Sequence, residues 1–91
     1  MGQLAEDKAR LEEAIEKSIA AGYAWTKGTR KNGRKLSWRL PMASDPGTQV
    51  CIWVVMGGHF VVATTPEDPS TRFRDRNLSV ALKHAEELAG H

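Results

Sequence analysis

The sequence predicts an α+β domain, in which an antiparallel meander of three or four strands packs against an N-terminal and a C-terminal helix. Apolar residues recur at helical spacing only near the two ends of the chain. Between these ends, apolar residues alternate with polar ones or form short β-rich runs, and turn residues separate the runs. A chain of 91 residues is the size of one domain, 1–91. The simplest packing lays both helices on one face of the meander, as a two-layer sandwich.

The pattern of apolar and charged residues over 4–21 predicts the first helix. Glu6 with Arg10 and Glu13 with Lys17 are acid–base pairs four residues apart, which support a helix. Gly22 is suited to end the helix, because a C-terminal cap often needs a left-handed backbone. The predicted buried stripe consists of Leu4, Leu11, Ile15 and Ile19.

Residues 23–42 predict a β-hairpin with Asn32-Gly33 as its turn, since both central residues of a type I′ turn need a positive φ. A two-residue turn there sets Thr29 opposite Leu36. It also sets Lys27 opposite Trp38, which brings a cation beside an indole. The alternative is a loop over residues 26–34, with a strand only over 35–42.

A second hairpin is predicted over residues 50–65. Asp45-Pro46-Gly47 forms a turn before it, and residues 50–56 are apolar enough for a central strand covered on both faces. Gly57-Gly58 would be a two-residue turn, which sets Val55 opposite Phe60 and Trp53 opposite Val62.

The last part of the chain predicts a loop and a helix. Residues 66–76 hold two prolines and mostly polar or charged residues, so we expect a loop of about ten residues. Asn77 or Ser79 can cap a final helix that runs to about Ala89, and Gly90 ends it. Its apolar stripe consists of Leu78, Ala81, Leu82, Ala85 and Leu88.

No helix remains to cover the second face of the sheet. In the second hairpin that face would show either Trp53, Val55, Phe60 and Val62, or Ile52, Val54, Val61 and His59. An uncovered apolar patch on so small a protein indicates a contact with a partner protein or a second copy in a homodimer. Trp53 and Phe60 are the candidate residues of that interface.

Composition limits the compartment and the class of protein. The one cysteine, Cys51, cannot form an internal disulfide and lies in the most apolar stretch, so we expect a buried thiol in a reduced compartment. No stretch approaches the eighteen or so apolar residues of a membrane span, and the charged N-terminus is unlike a signal peptide. We therefore expect a cytoplasmic protein that does not enter a membrane.

The sequence offers no catalytic pattern. The histidines, His59, His84 and His91, have no evident carboxylate partner and no metal-ligand spacing with Cys51. A nucleophile elbow and a phosphate-cradling glycine pattern are both missing from the sequence. We expect a protein that is not an enzyme and that uses no cofactor or metal.

Positive charge is segregated along the chain. The formal net charge is only +2, yet residues 17–44 hold seven cations and no acid, and five of these cations fall within residues 27–35. Three arginines alternate before the last helix, so an extended chain would point them to the same side. Such clusters attract polyanions. The candidate phosphate contacts are Lys27, Arg30, Lys31, Arg34, Lys35, Arg39, Arg72, Arg74 and Arg76.

Both cation clusters have a structural alternative. The hairpin tip can be a charged loop that keeps an edge strand from aggregating. Arg72 and Arg76 can pair with Glu67, Asp68 or Asp75. Two functions therefore compete. The first is a small nucleic-acid-binding module. The second is a protein-interaction module, such as an inhibitor, adaptor or accessory factor of the kind that phages and mobile elements encode, which would meet an acidic surface or dock through the apolar face.

The order of elements resembles two families. Helix, strands and helix, with cations before the second helix, resemble the double-stranded RNA-binding domain, although Arg74-Asp75-Arg76-Asn77 stands in place of that family's lysine-rich run. Strands followed by Arg74-Asp75-Arg76 and a short helix also resemble the arm-binding domains of phage integrases. Neither resemblance includes a specific motif, so we carry no residue role across from either family.

Overall fold

A computed structural model of the chain describes residues 2–29 and 36–90. Its five strands form one antiparallel sheet in the order β1-β2-β3-β4-β5. The predicted α+β architecture is confirmed, with five strands where three or four were expected. The elements are α1 (Gln3–Ala20), β1 (Thr26–Thr29), β2 (Leu36–Pro41), β3 (Gln49–Val55), β4 (His59–Thr65), a 3₁₀ helix (Pro69–Thr71), β5 (Phe73–Asp75) and α2 (Leu78–Ala89).

The buried stripe of α1 is rotated from the predicted one. Ile19 is 43% exposed, whereas Asp7 and Ser18 are buried beside Leu11 and Ile15. The predicted Glu13–Lys17 pair forms, with 3.7 Å between Oε1 and Nζ. Arg10 contacts the carboxylate of Asp7 and not that of Glu6. Gly22 has a φ of +109° just after the helix, as expected of a cap.

The first hairpin has the predicted register. Thr29 pairs with Leu36 and Lys27 with Trp38, which favours a hairpin over the loop alternative. Nζ of Lys27 lies 5.5 Å from the ring centroid of Trp38, close enough for a cation–π contact. The predicted turn at residues 32–33 lies outside the described residues.

The predicted two-residue turn in the second hairpin is wrong. Three residues, Met56, Gly57 and Gly58, join β3 to β4, so that Val55 pairs with His59. Gly57 and Gly58 have φ values of +93° and +79°, and the N–H of Gly58 donates to the carbonyl of Val55 over 3.2 Å. Because side chains alternate along a strand, the one-residue shift turns every side chain of β4 to the opposite face, relative to β3, from the face that the two-residue turn predicts.

The corrected register puts Phe60 in the core. Phe60 pairs with Val54 and is fully buried under the helices, so it cannot belong to a partner interface of the folded chain. The main core joins both helices to one sheet face through Leu11, Ile15, Leu40, Val50, Ile52, Val54, Phe60, Val62, Ala81, Ala85 and Ala89. A second cluster on the other face consists of Cys51, Trp53, Val61 and Ala63.

The segment predicted as a loop contains the fifth strand. β5 pairs with β4 through Val61 opposite Arg74 and Val62 opposite Phe73. The ring of Phe73 stacks on His84 of α2 at a centroid distance of 4.2 Å. This stacking leaves His84 half-buried.

Helix α2 has the predicted bounds. The side-chain Oδ1 of Asn77 accepts from the backbone N–H groups of Ser79 and Val80, so Asn77 is the N-cap. Gly90 ends the helix with a φ of +78°. Three alanines of α2 pack on the sheet, so the helix lies close to it.

Candidate functional site

Arginines lie on the side of the sheet that faces away from both helices. Arg39 of β2 pairs with Cys51, and Arg74 of β5 pairs with Val61. Directly paired residues project to the same side of a sheet, and Cys51 and Val61 both belong to the second cluster. We call this side, with Arg39, Arg74 and Arg76, the arginine face.

The described strands place no acid on this face. Asp75 is the one acid in the described strands, and it pairs with Phe60 on the helix side. Its Oδ1 accepts from the backbone N–H of Asn77 over 2.7 Å. The helices α1 and α2 hold seven of the eleven acids and only four of the thirteen cations. The fold therefore gathers negative charge in the helix layer.

The side chain of Arg39 lies flat across the neighbouring strand. A Cβ at Gly28 would be only 3.1 Å from Nε of Arg39 and 3.6 Å from its Cζ. The Nε atom is buried. The lack of a side chain at Gly28 therefore allows the guanidinium to approach the β1 backbone.

Arg76 contacts a histidine on the arginine face. Its Nε donates to Nε2 of His59 over 3.4 Å. His59 is half-buried and pairs with Val55, which packs against the second cluster. In this contact Nε2 of His59 acts as the acceptor, which requires a free lone pair on that nitrogen. Arg74 is exposed and forms no ion pair with any described residue.

Arg72 pairs with an acid, as the structural alternative for this cluster expected. Its Nη1 lies 3.1 Å from Oε1 of Glu67, so this arginine is neutralised locally. Asp68 is occupied elsewhere, because its Oδ1 accepts from both the hydroxyl and the backbone N–H of Ser70. These two hydrogen bonds hold the pKa of Asp68 below its ordinary value. Of the expected arginine–acid pairs, only Arg72 with Glu67 forms among the described residues.

Lys27 does not join the other predicted phosphate contacts. It lies on the helix side of the sheet, where its Nζ is 3.8 Å from Oε1 of Glu12. The pairing with Trp38, a residue of the core side, determines this direction. The remaining predicted contacts, Arg30, Lys31, Arg34 and Lys35, lie outside the described residues.

The apolar residues of the arginine face are not an open patch. Trp53 is on this face, as one of the two predicted sets had it, but it is only 4% exposed. Its neighbours Cys51, Val61 and Ala63 are between 3% and 5% exposed. The expected uncovered apolar surface is therefore wrong for these positions. The large apolar side chains that are exposed in the described part, Ile19, Met56 and Val80, are scattered along the chain.

The helix layer contains a groove between α1 and α2. It has a volume of about 460 Å³ and is lined by Arg10, Glu13, Ala14, Lys17, Ser18, Leu78, Ser79, Leu82 and Glu86. Over residues 2–29 and 36–90, no three histidine, cysteine or acidic side chains gather as they would around a metal ion. No helix in the same ranges is long and apolar enough to cross a bilayer.

Comparisons of the chain with protein-family models, with curated proteins and with solved structures find no match.

Proposed function

We propose that this protein binds nucleic acid through phosphate contacts made by the arginine face. The proposal is supported by one observation above others. Arg39, Arg74 and Arg76 lie on a sheet face to which the described strands contribute no acid, while most acids lie in the helix layer behind it. Guanidinium groups present forked donors that match phosphate oxygens.

The spacing of the arginines favours an extended polyanion over a single phosphate. Arg39 is on β2 and Arg74 is on β5, three strand spacings or about 14 Å apart. The side chain of Arg39 lies against Gly28 of β1, on the side away from β5, so its guanidinium group and that of Arg74 do not converge on one phosphate. A ligand that engages the whole face therefore needs several phosphates, as a nucleic acid has.

The buried indole of Trp53 argues for contacts to the backbone rather than to bases. Proteins that hold single strands by stacking present exposed aromatic rings to the bases. Trp53 is the aromatic residue of the arginine face among the described strands, and it is 4% exposed. We therefore expect weak sequence preference and an affinity that depends strongly on salt.

Docking of a partner through the apolar residues has less support. Phe60 is in the core, and the second cluster is buried within the chain itself. A partner would have to displace what covers these residues before it could contact them.

Fluorescence anisotropy tests the proposal with labelled 20-nucleotide probes of single- and double-stranded DNA and RNA. We expect binding at 50 mM salt that weakens at 200 mM, with a logarithmic slope of about −0.9 for each phosphate contacted on duplex DNA. The double variant Arg74→Glu with Arg76→Glu should bind more weakly and have a shallower slope.

A second double variant controls for net charge. Lys8→Glu with Lys83→Glu makes the same change in charge, but on exposed positions of α1 and α2. It should retain most of the affinity. Equal losses in both double variants, or no binding to any of the four probes at 50 mM salt, would overturn the proposal. Circular dichroism would establish that each variant is folded.

A further inference from the structure

We infer that His59 and Arg76 form a phosphate subsite at one end of the arginine face, and that this subsite binds more tightly once His59 is protonated. The inference rests on the proposed function and adds to it a titratable residue. Its starting point is the hydrogen bond from Nε of Arg76 to Nε2 of His59. This contact exists only while Nε2 has a free lone pair.

A phosphate group can accept a hydrogen bond from each of these two residues in place of the bond between them. One phosphate oxygen can accept from Nε of Arg76 in place of the imidazole nitrogen. A second oxygen of the same phosphate can accept from His59 once Nε2 carries a proton. Without an anion, protonation would leave two cations with their nitrogen atoms 3.4 Å apart, which is unfavourable. Proton uptake and phosphate binding are therefore coupled, and each favours the other.

The groups around His59 favour an anion. Arg76 faces it from the segment before α2, and Arg74 is on the same face opposite Val61, two residues further along β4. On β3, the pairing residue Val55 is apolar.

Asp75, which pairs with Phe60, points to the helix side, and an acid of α1 lies close to the β3–β4 turn. A Cβ at Gly58 would be 3.6 Å from Oδ2 of Asp7 on α1. The other oxygen of Asp7 accepts from Gln3 and lies near Arg10 of the same helix, whereas Oδ2 is buried without a hydrogen-bond partner among the described residues. The described groups beside His59 on the arginine face, Arg74, Arg76 and Val55, are thus cationic or apolar.

The ratio of affinities at two pH values tests the subsite. Histidine gains its proton between about pH 8 and pH 5. The wild-type protein should bind a 20-base-pair DNA duplex about fivefold more tightly at pH 5.5 than at pH 8.0, the contribution of one net hydrogen bond.

Two variants separate this histidine from the others. His59→Gln keeps an oxygen that can accept from Arg76 but takes up no proton, so the fivefold gain should disappear. His84→Gln removes a histidine of the helix side, where its ring stacks on Phe73, and should keep the wild-type ratio. Thermal melting at both pH values checks that the fold is retained.

The outcomes distinguish the inference from the proposed function. If the wild-type and His59→Gln proteins show the same ratio of affinities between pH 5.5 and pH 8.0, the inferred subsite is wrong. The proposed binding through the arginine face would still stand. If the wild-type protein binds at neither pH value in 50 mM salt, both are wrong.

Discussion

The hydroxyl of Ser18 joins the two helices by donating to Oε2 of Glu86 over 2.7 Å. The Oγ atom of Ser18 also accepts from the indole N–H of Trp25 over 2.9 Å. Ser18 and Trp25 are both buried. One small side chain of α1 therefore satisfies a buried donor and holds α2 in place.

Replacing Ser18 by alanine should lower the free energy of unfolding by about 1–3 kcal/mol, because the buried indole N–H loses its acceptor. Urea denaturation measures this change. Ser79→Ala, at an exposed serine of α2, is the control and should change the stability by less than about 0.5 kcal/mol. Equal effects in the two variants would mean that the link between the helices contributes little.

The β3–β4 turn should tolerate a side chain poorly. Gly58 has a φ of +79°, so Gly58→Ala should cost about 1–2 kcal/mol of stability for the left-handed backbone. Gly47→Ala provides the comparison, since Gly47 does not have a positive φ and a Cβ there would be 3.4 Å from its nearest neighbour. A thermal melt in which Gly58→Ala is as stable as Gly47→Ala would contradict the turn geometry.

Gly28 should control the position of Arg39. In Gly28→Val the new methyl groups would overlap Nε of Arg39, because even a Cβ would be 3.1 Å away. We expect the Arg39 side chain to lift from β1 and its buried Nε–H to exchange faster with water. Arginine-detected NMR measures that exchange, and an unchanged rate would show that the side chain does not depend on Gly28.

Glu67 should weaken polyanion binding by holding Arg72. Glu67→Gln removes the ion pair and frees the guanidinium, so affinity for duplex DNA should rise and the salt slope should steepen by about 0.9. Glu87→Gln makes the same change in charge at an exposed position of α2. Salt titrations of the two variants should differ, and identical slopes would exclude Arg72 from the binding surface.

The pKa of Asp68 should respond to Ser70. The side-chain hydrogen bond from Ser70 is the largest cause that lowers this pKa from 3.8, and the backbone bond is the second. In Ser70→Ala the pKa should rise towards 3.8, which carbon-detected NMR titration would measure. A pKa that stays the same would contradict the hydrogen bond.

The sign of the pH effect follows from this shift. A carboxyl whose pKa is lower in the folded chain stabilises the fold above its unfolded pKa. That contribution is lost as the pH falls from about 3.8 through the lower, folded value. In Ser70→Ala the folded pKa of Asp68 lies closer to 3.8. This carboxyl should therefore contribute less stability above that pH, and less stability should be lost on acidification.

The helices and the first hairpin were predictable because their signals are local. Asn77 and Gly90 bound α2 through groups within a few residues, and Asn32-Gly33 implied the observed register of β1 and β2. The face of Phe60 was not predictable in the same way. A Gly-Gly pair fits turns of two or three residues, and one residue of difference reverses the whole of β4.

The arginine face was predictable in part. Alternation indicated that Arg74 and Arg76 share a side, and β5 places Arg74 opposite Val61 as such a strand requires. The strand itself was missed, because Phe73–Asp75 is short and charged and forms by completing the hydrogen bonds of β4. The contact between His59 and Arg76 spans 17 residues and depends on the three-residue turn, so no local pattern could indicate it.

Among the described residues, the layered separation of charge gives an electric moment with a component perpendicular to the sheet and its negative end at the helices. Seven acids lie on the two helices, and Arg39 and Arg74 lie on the opposite side. A field from a distant polyanion exerts a torque on such a moment before any contact forms. In the proposed binding mode, the protein would therefore approach a nucleic acid with its arginine face forward, and more of its random encounters would be productive at low ionic strength.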